Sequence, residues 1–126
     1  MRAILDTSVL IANDVPPLEG ELAISAAALA ELHFGVLVTT DATVRAERLR
    51  RLSEFQRRFM ALPVDDAVAT SYGQLAAAVV TAGRQPRSRV MDLLIAATAH
   101  AHAARLYTRN AADFVGIEHL VDIVQV

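Results

Sequence analysis

The chain has 126 residues, a formal net charge of −2 and a hydrophobic content of 54%. This length fits one domain, expected to cover residues 1–126, with enough buried surface for a core that needs no cross-links. Cysteine and lysine are absent, which excludes disulfides, thiolate metal ligands and lysine chemistry. The small net charge also gives no broad positive field for nucleic acid.

The hydropathy pattern predicts no membrane association. The longest stretch without a charged residue, 67–83, contains hydroxyl, amide and glycine residues, so we interpret it as a core helix. The apolar run before Asp6 is too short for the core of a signal peptide. These features predict a cytoplasmic protein with no membrane partner, and the lack of cysteine agrees with a reducing compartment.

In the first half of the chain, short apolar runs typical of buried strands alternate with longer helical patterns. Ser25 and Asp41 are expected N-caps, because their side-chain oxygens can accept a hydrogen bond from the first turn of a helix. The predicted elements are a strand at 2–5, a turn at 6–8 with helical residues to 12, a loop at 13–20, a strand at 22–24, a helix at 26–38 and a long helix that follows 41 and ends near 60.

The second half continues this alternation. Asp65 or Asp66 is expected to cap the next helix, and Gly83 to end it. Residues 89–103 are nearly all apolar, which predicts a buried helix. The other predicted elements are a strand at 62–64, a loop at 83–88, strands at 106–107 and 121–126, and a short helix at 111–114.

This alternation predicts an α/β fold in which a central parallel sheet of short strands is flanked by helices on both faces. Ligands of such sheets bind beyond the carboxyl ends of the strands. Asp6 directly follows the first strand, and Asp113 lies just past the strand that ends at Tyr107. We therefore expect both carboxylates at the same edge of the sheet.

Four carboxylates interrupt apolar sequence: Asp6, Glu31, Asp92 and Asp113. An acid among core-type residues must find a partner, take up a proton or hold a cation. With no cysteine and no histidine pair at ligand spacing, an oxygen-only set predicts a hard divalent ion, Mg²⁺ or Mn²⁺. Such an ion relieves repulsion among converging carboxylates, lowers the pKa of a bound water and polarises a phosphoryl oxygen.

Each acid also has a structural interpretation. Asp6 could cap the first helix, and Asp113 could cap a turn. Asp92 lies in the first turn of a helix, where the dipole favours an acid, and it could pair with Arg89 at i−3. Glu31 differs, because no basic side chain lies at its i±3 or i±4 positions. The four acids together indicate a metal site more strongly than any one does.

Several polar side chains near these acids are candidate supporting residues. Thr7 and Ser8 lie at a helix start, where backbone N–H groups favour an anion, and Asn110 could orient Asp113 or contact a phosphate. Each of the three could equally be a turn former. The candidate phosphate contacts before the helix of Asp92 are Arg84, Arg87 and Arg89.

Three segments resemble the PIN-domain ribonucleases, specifically the VapC-type toxins of bacterial toxin–antitoxin pairs. Residues 4–12, ILDTSVLIA, resemble their first strand and first acid, and residues 25–35, SAAALAELHFG, resemble their second helix with its glutamate. Residues 89–114, RVMDLLIAATAHAHAARLYTRNAADF, resemble their longest signature. The segments follow one another in order along the chain.

The resemblance implies a metal-dependent endoribonuclease, the toxin of a toxin–antitoxin module, in which a metal-activated water attacks a phosphodiester of RNA. It implies that Asp6, Glu31, Asp92 and Asp113 are the catalytic and metal-binding acids. It also implies a hydroxyl near the metal, from either Thr7 or Thr108. The implied partners are an RNA substrate, an antitoxin whose C-terminal segment covers the site, and a second copy of the chain in a homodimer.

Two other classes of enzyme use related sites. A structure-specific DNA nuclease would share the fold and the acids, but such enzymes usually carry further DNA-binding segments. A Mg²⁺-dependent phosphoacceptor or phosphatase domain also uses strand-end aspartates, but it normally needs a lysine, which this chain lacks. The phosphatase pattern would also place an acid where Ser8 stands. A degenerate binding module is disfavoured because all four acids are present.

Overall fold

Five short strands form one sheet at the centre of the computed structural model, which describes residues 1–126. The strands are β1 (Arg2–Leu5), β2 (Glu21–Ser25), β3 (Met60–Leu62), β4 (Arg105–Thr108) and β5 (Ile123–Gln125). Their order in the sheet is β3-β2-β1-β4-β5, and every neighbouring pair is parallel. The predicted α/β fold with a parallel sheet is confirmed.

Helices connect the strands, and three of their N-caps are the predicted ones. The side chains of Ser25, Asp41 and Asp65 each accept a hydrogen bond from a backbone N–H in the first turn that follows. None of the helices has the length and hydropathy needed to cross a bilayer. The α-helices are α1 (Thr7–Ile11), α2 (Ala26–Val38), α3 (Ala42–Arg58), α4 (Asp66–Thr81) and α5 (Val90–Ala101), and the 3₁₀ helices are Pro86–Arg89 and Ala111–Phe114.

The boundary between α3 and β3 differs from the prediction. The helix ends at Arg58 instead of near Met60, and the strand occupies 60–62 instead of 62–64. Phe59 already has extended backbone angles, and Met60 pairs with Ala23 of β2. Pairing with the distant strand β2 therefore makes Met60 a strand residue, although the local sequence pattern favours a helix there.

The helix predicted at 89–103 is shorter at both ends. Residues 86–89, at the predicted loop, form a 3₁₀ helix that begins at Pro86, whose ring fixes the backbone angle required there. The α5 helix ends at Ala101, and Ala103 has a φ of 50°, a left-handed conformation that stops a right-handed helix. The last strand is likewise limited to 123–125 within the predicted 121–126.

The sheet is covered on both faces and has one topological switch point. Ala3, Ile4 and Leu5 are all buried, and successive side chains of a strand point to opposite faces, so both faces of β1 are packed. The chain runs from β1 outward to β2 and β3, then returns to the other side of β1 to form β4. Open α/β sheets bind ligands at such a switch, beyond the carboxyl ends of the strands.

Candidate metal centre

Asp6 lies at this switch point, at the carboxyl end of β1. Its backbone N–H donates to the carbonyl oxygen of Tyr107 in β4, at 2.9 Å, and its residue surface is only 4% exposed. Its Oδ1 accepts a hydrogen bond from the N–H of Thr7, also at 2.9 Å, so Asp6 is the N-cap of α1. The capping role foreseen from the sequence is therefore real, and it uses one carboxylate oxygen.

The second oxygen of Asp6 is held by two hydroxyls. Asp6 Oδ2 accepts from Ser8 Oγ at 2.7 Å and from Thr108 Oγ1 at 2.8 Å. Each hydroxyl in turn accepts a backbone N–H, from Arg109 and Asn110 respectively, both at 3.0 Å. Since each hydroxyl oxygen accepts a hydrogen bond from a backbone N–H, its own O–H group is directed at the carboxylate. The end of β4 thus fixes the orientation of the acid that follows β1.

Glu31 reaches the same edge from α2. Thr7 Oγ1 donates to Glu31 Oε1 at 2.7 Å, and Glu31 has no salt bridge, as its helical neighbours predicted. The sequence left open whether Thr7 or Thr108 supplies a hydroxyl at the acids. In the structure Thr7 donates to Glu31 and Thr108 donates to Asp6, and which of the two hydroxyls lies near the metal stays a prediction.

Asp92 and Asp113 come from two further elements and share one arginine. Asp92 lies in the first turn of α5, and Asp113 lies in the 3₁₀ helix 111–114. Arg89 Nη1 donates to Asp113 Oδ1 at 2.7 Å and lies 3.5 Å from Asp92 Oδ2. The pairing of Arg89 with Asp92 was predicted, whereas its closer contact with Asp113 was missed. No local sequence signal could have indicated a contact across 24 residues.

The electrostatics show that the four acids are close enough to repel. Burial and, after it, the carboxylates of Asp6 and Asp113, with a smaller contribution from Glu31, together raise the pKa of Asp92 from 3.8 to about 6. The positive charge of Arg89 acts in the opposite direction and lowers this pKa. One carboxyl thus responds to all three others, as expected of acids gathered at one edge of the sheet.

The acids fit a hard cation by chemistry and charge, but they do not form a ready coordination shell. No three acidic or histidine side chains are arranged to hold a metal ion. Hydroxyl groups hold Asp6 and Glu31, and Arg89 holds Asp113. All four donors are nevertheless carboxylate oxygens that repel one another, which is the donor set that Mg²⁺ and Mn²⁺ prefer.

The remaining candidate residues lie around the acids. Asn110 is exposed, and its carbonyl oxygen accepts the N–H of Asp113 at 3.0 Å, so its backbone helps to place that acid. Arg84 and Arg87 are exposed and make no salt bridge, whereas Arg89 faces the acids. Their contacts with phosphates stay a prediction.

An apolar cleft that the sequence did not predict lies beside Glu31. It has a volume of about 510 Å³ and lies between α1, α2 and α3. Phe34 lines it and is 68% exposed, which is unusual for a large aromatic side chain. Phe34 lies three residues after Glu31 on α2, so helical spacing alone could have placed it on the same side as the acid.

Comparison with known protein families shows that the sequence model of the PIN domain family matches residues 3–117 of this chain. The chain belongs to the PIN domain family. Ribonuclease VapC5 from Mycobacterium tuberculosis (strain ATCC 25618 / H37Rv) is 35% identical to it over 131 residues, covering 98% of this chain and 94% of that protein. The resemblance to VapC-type PIN domains that the three sequence segments indicated is therefore confirmed.

Solved structures agree with this PIN assignment. The crystal structure of VapBC-5 from M. tuberculosis, a member of the VapBC family of toxin–antitoxin systems, matches with a TM-score of 0.84 and 32% identity, over 99% of this chain and 97% of that one. FitAcB from Neisseria gonorrhoeae matches with a TM-score of 0.76 and 26% identity, over 96% and 95% of the two chains. The single PIN fold thus spans nearly the whole chain.

Proposed function

We propose that this PIN domain is a divalent-metal-dependent endoribonuclease and the toxin of a toxin–antitoxin pair. The observation that carries the proposal is the convergence of Asp6, Glu31, Asp92 and Asp113 at the switch point of the sheet, where the pKa of Asp92 responds to the other three carboxylates. A relative of nearly equal length is named a ribonuclease, which supports RNA as the substrate.

In this proposal the four acids hold Mg²⁺ or Mn²⁺, which when bound supplies a Lewis acid and a water of lowered pKa for attack on phosphorus. The protein's contribution is orientation. Asp6 is fixed by the N–H of Thr7 and by two hydroxyls, and Glu31 is fixed by the hydroxyl of Thr7. Ligands held in this way lose little conformational freedom when the cation binds.

The substrate would approach from the side where Asp92 and Asp113 are partly exposed. Arg84 and Arg87 lie in the turn and 3₁₀ helix that lead into α5, and both are exposed. Their guanidinium groups can each form two hydrogen bonds with a phosphate, which positions a nucleic-acid strand without reading its sequence.

Cleavage of RNA should require the metal. Purified protein incubated with structured RNAs in Mg²⁺ or Mn²⁺ should cut single-stranded or loop regions, and an excess of chelator should abolish cutting, because the acids alone provide no activated water. Gel analysis of end-labelled RNA measures this. DNA of the same sequence, tested in parallel, separates a ribonuclease from a DNA nuclease on the same fold.

Equal cleavage with metal and with chelator would refute the proposed chemistry. Cleavage of the DNA but not of the RNA would refute the proposed substrate while leaving the metal site intact.

The cleft beside Glu31 suits a polypeptide partner. Its exposed Phe34 is followed on α2 by Leu37 and Val38, which are 74% and 55% exposed. A contiguous apolar surface next to a charged site is typical of a protein-binding face. We propose that the C-terminal segment of an antitoxin occupies this cleft and covers the acids, in keeping with the toxin–antitoxin description of the VapBC-5 structure.

Self-association into a two-fold dimer is also expected. Beyond the cleft, Met60, Val64, Val80 and Val90 are large apolar side chains with more than two-fifths of their surface exposed, and small oligomers are most often two-fold dimers. Sedimentation at a protein concentration on the order of tens of micromolar should give twice the monomer mass of 13.6 kDa. A sample that contains only the 13.6 kDa species would contradict the dimer.

A further inference from the structure

One positive charge lies inside the group of acids. Arg89 ends the 3₁₀ helix before α5, and its guanidinium contacts Asp113 at 2.7 Å and Asp92 at 3.5 Å. No other basic side chain forms a salt bridge with any of the four acids. The two acids it joins belong to different elements, so Arg89 bridges them.

We propose that Arg89 is an internal counter-ion that competes with the divalent cation for Asp113. While the metal is absent, the guanidinium holds Asp113 and Asp92 together; when the metal binds, the guanidinium leaves Asp113. This inference rests on the proposed function, from which it takes the metal-binding role of the acids. It assigns to Arg89 control over how readily that metal binds.

Coulomb repulsion is the first reason for displacement. A guanidinium within hydrogen-bond distance of Asp113 and a divalent cation on the same carboxylate would be like charges a few ångströms apart, in a setting less polar than water. The negative charge of the acids neutralises either the guanidinium or the divalent cation more fully than it neutralises both at once. In the structure the guanidinium already lies at both carboxylates, 2.7 Å from Asp113 and 3.5 Å from Asp92, where a cation on Asp113 would meet it.

The position of Arg89 makes the exchange feasible. Its side chain is 42% exposed, more than the 25% of Asp92 and the 29% of Asp113, so the guanidinium can rotate into water without opening the core. Partly exposed ion pairs contribute little net free energy, so a divalent ion can break this one. Arg89 lies on the same segment as Arg84 and Arg87, and after rotation its guanidinium could contact a phosphate of the substrate.

If Arg89 instead had a fixed, orienting role, its replacement would change the affinity for the metal in the opposite direction. If the guanidinium served to hold Asp113 in the geometry that the metal needs, its removal would weaken metal binding. If it competes, its removal strengthens metal binding. The sign of the change therefore decides between the two roles.

Titration calorimetry with Mn²⁺ alone, on the full chain without RNA, measures that sign. Arg89→Gln should lower the Kd for Mn²⁺ by about 3- to 10-fold, because it removes a nearby positive charge and frees Asp113. Arg87→Gln is the matched control, since Arg87 lies in the same 3₁₀ helix, is exposed and pairs with no acid. Its smaller change reports the effect of losing one distant charge.

A double-mutant cycle with Asp113→Asn locates the competition. In that background Arg89→Gln should lower the Kd by a clearly smaller factor than it does in the wild type, because the carboxylate for which guanidinium and cation compete is gone and only the effect of the charge beside Asp92 remains. Weaker Mn²⁺ binding by Arg89→Gln, or binding equal to that of Arg87→Gln, would overturn the counter-ion role and leave the metal site standing. No Mn²⁺ binding by any variant or by the wild type would instead refute the metal requirement of the proposed function, and this inference with it.

Discussion

Replacing Asp113 with asparagine should lower the rate of RNA cleavage by about 100-fold or more, the usual effect of removing one electrostatic group from a preorganised site. The substitution keeps the size of the side chain and deletes its charge. The backbone hydrogen bond from Asp113 to Asn110 is unaffected, and the only ion pair lost is the partly exposed one with Arg89. The fold should therefore persist while the site loses a ligand.

The chain offers a matched control for this experiment in Asp122→Asn. Asp122 is also an aspartate paired with an arginine, Arg105, at 3.0 Å, but it is 62% exposed and Arg105 opens β4 at the opposite end from the acids. Its loss should leave single-turnover cleavage unchanged. Equal losses in the two variants, or a loss in Asp113→Asn that follows a large drop in melting temperature, would remove Asp113 from the site.

The sequence predicted those parts of the fold that depend on local chemistry. Ser25 and Asp41 were identified as N-caps because a capping side chain bonds to the first turn of its own helix, and both caps are confirmed. The shared edge of Asp6 and Asp113 followed from a general rule of parallel sheets and needed no side-chain detail. Local patterns and sheet topology together placed the acids.

Contacts between distant parts of the chain could not be predicted in this way. Met60 was assigned to a helix because only pairing with Ala23, far back in the sequence, makes it a strand residue. The bridge from Arg89 to Asp113 depends on how a 3₁₀ helix packs beside the end of β4, which no spacing rule contains. The apolar cleft beside Glu31 likewise exists only where three helices meet.

Asp6 shows why structural and functional interpretations of one residue need not exclude each other. The sequence offered a helix cap and a site acid as alternatives. A carboxylate has lone pairs for about four hydrogen bonds or ligands. In the structure Oδ1 caps α1 while Oδ2 accepts two hydroxyls at the edge of the site. The cap holds the carboxylate where the site requires it.

This dual role separates Asp6 from Asp92 in their effect on stability. Asp6→Asn should destabilise the metal-free protein by about 1–2 kcal/mol, since an amide cannot accept from the cap and both hydroxyls as a carboxylate does. The only charged partner of the Asp92 side chain is Arg89, in an ion pair at 3.5 Å, and three other acids oppose the charge of Asp92. Relief of that repulsion should therefore dominate when Asp92 is replaced.

Above about pH 6 the metal-free protein should become more stable when Asp92 is changed to asparagine. Burial and the neighbouring carboxylates raise the pKa of Asp92 to about 6 in the folded state, from 3.8. The folded state therefore binds the proton more tightly than the unfolded state, so protonated Asp92 stabilises the fold in acid and that stability is lost as the pH rises through about 6. The full shift corresponds to about 3 kcal/mol, which solvent screening of the 25% exposed side chain reduces to about 1–2 kcal/mol.

Thermal unfolding of wild type and Asp92→Asn in chelator should show this difference near pH 7.5, and the difference should shrink toward pH 4.5, about where the folded carboxyl is protonated. Adding Mn²⁺ at about 100 times its Kd should stabilise the wild type by about 2.7 kcal/mol, a rise of several degrees in Tm. Asp92→Asn should gain less, because it lacks one ligand. An acid that served only the scaffold would behave in reverse: its amide would be less stable without metal at neutral pH and would keep the full Mn²⁺ shift. That pair of results would place Asp92 outside the metal centre, because repulsion relieved by a cation and a lost structural contact change the metal-free stability in opposite directions.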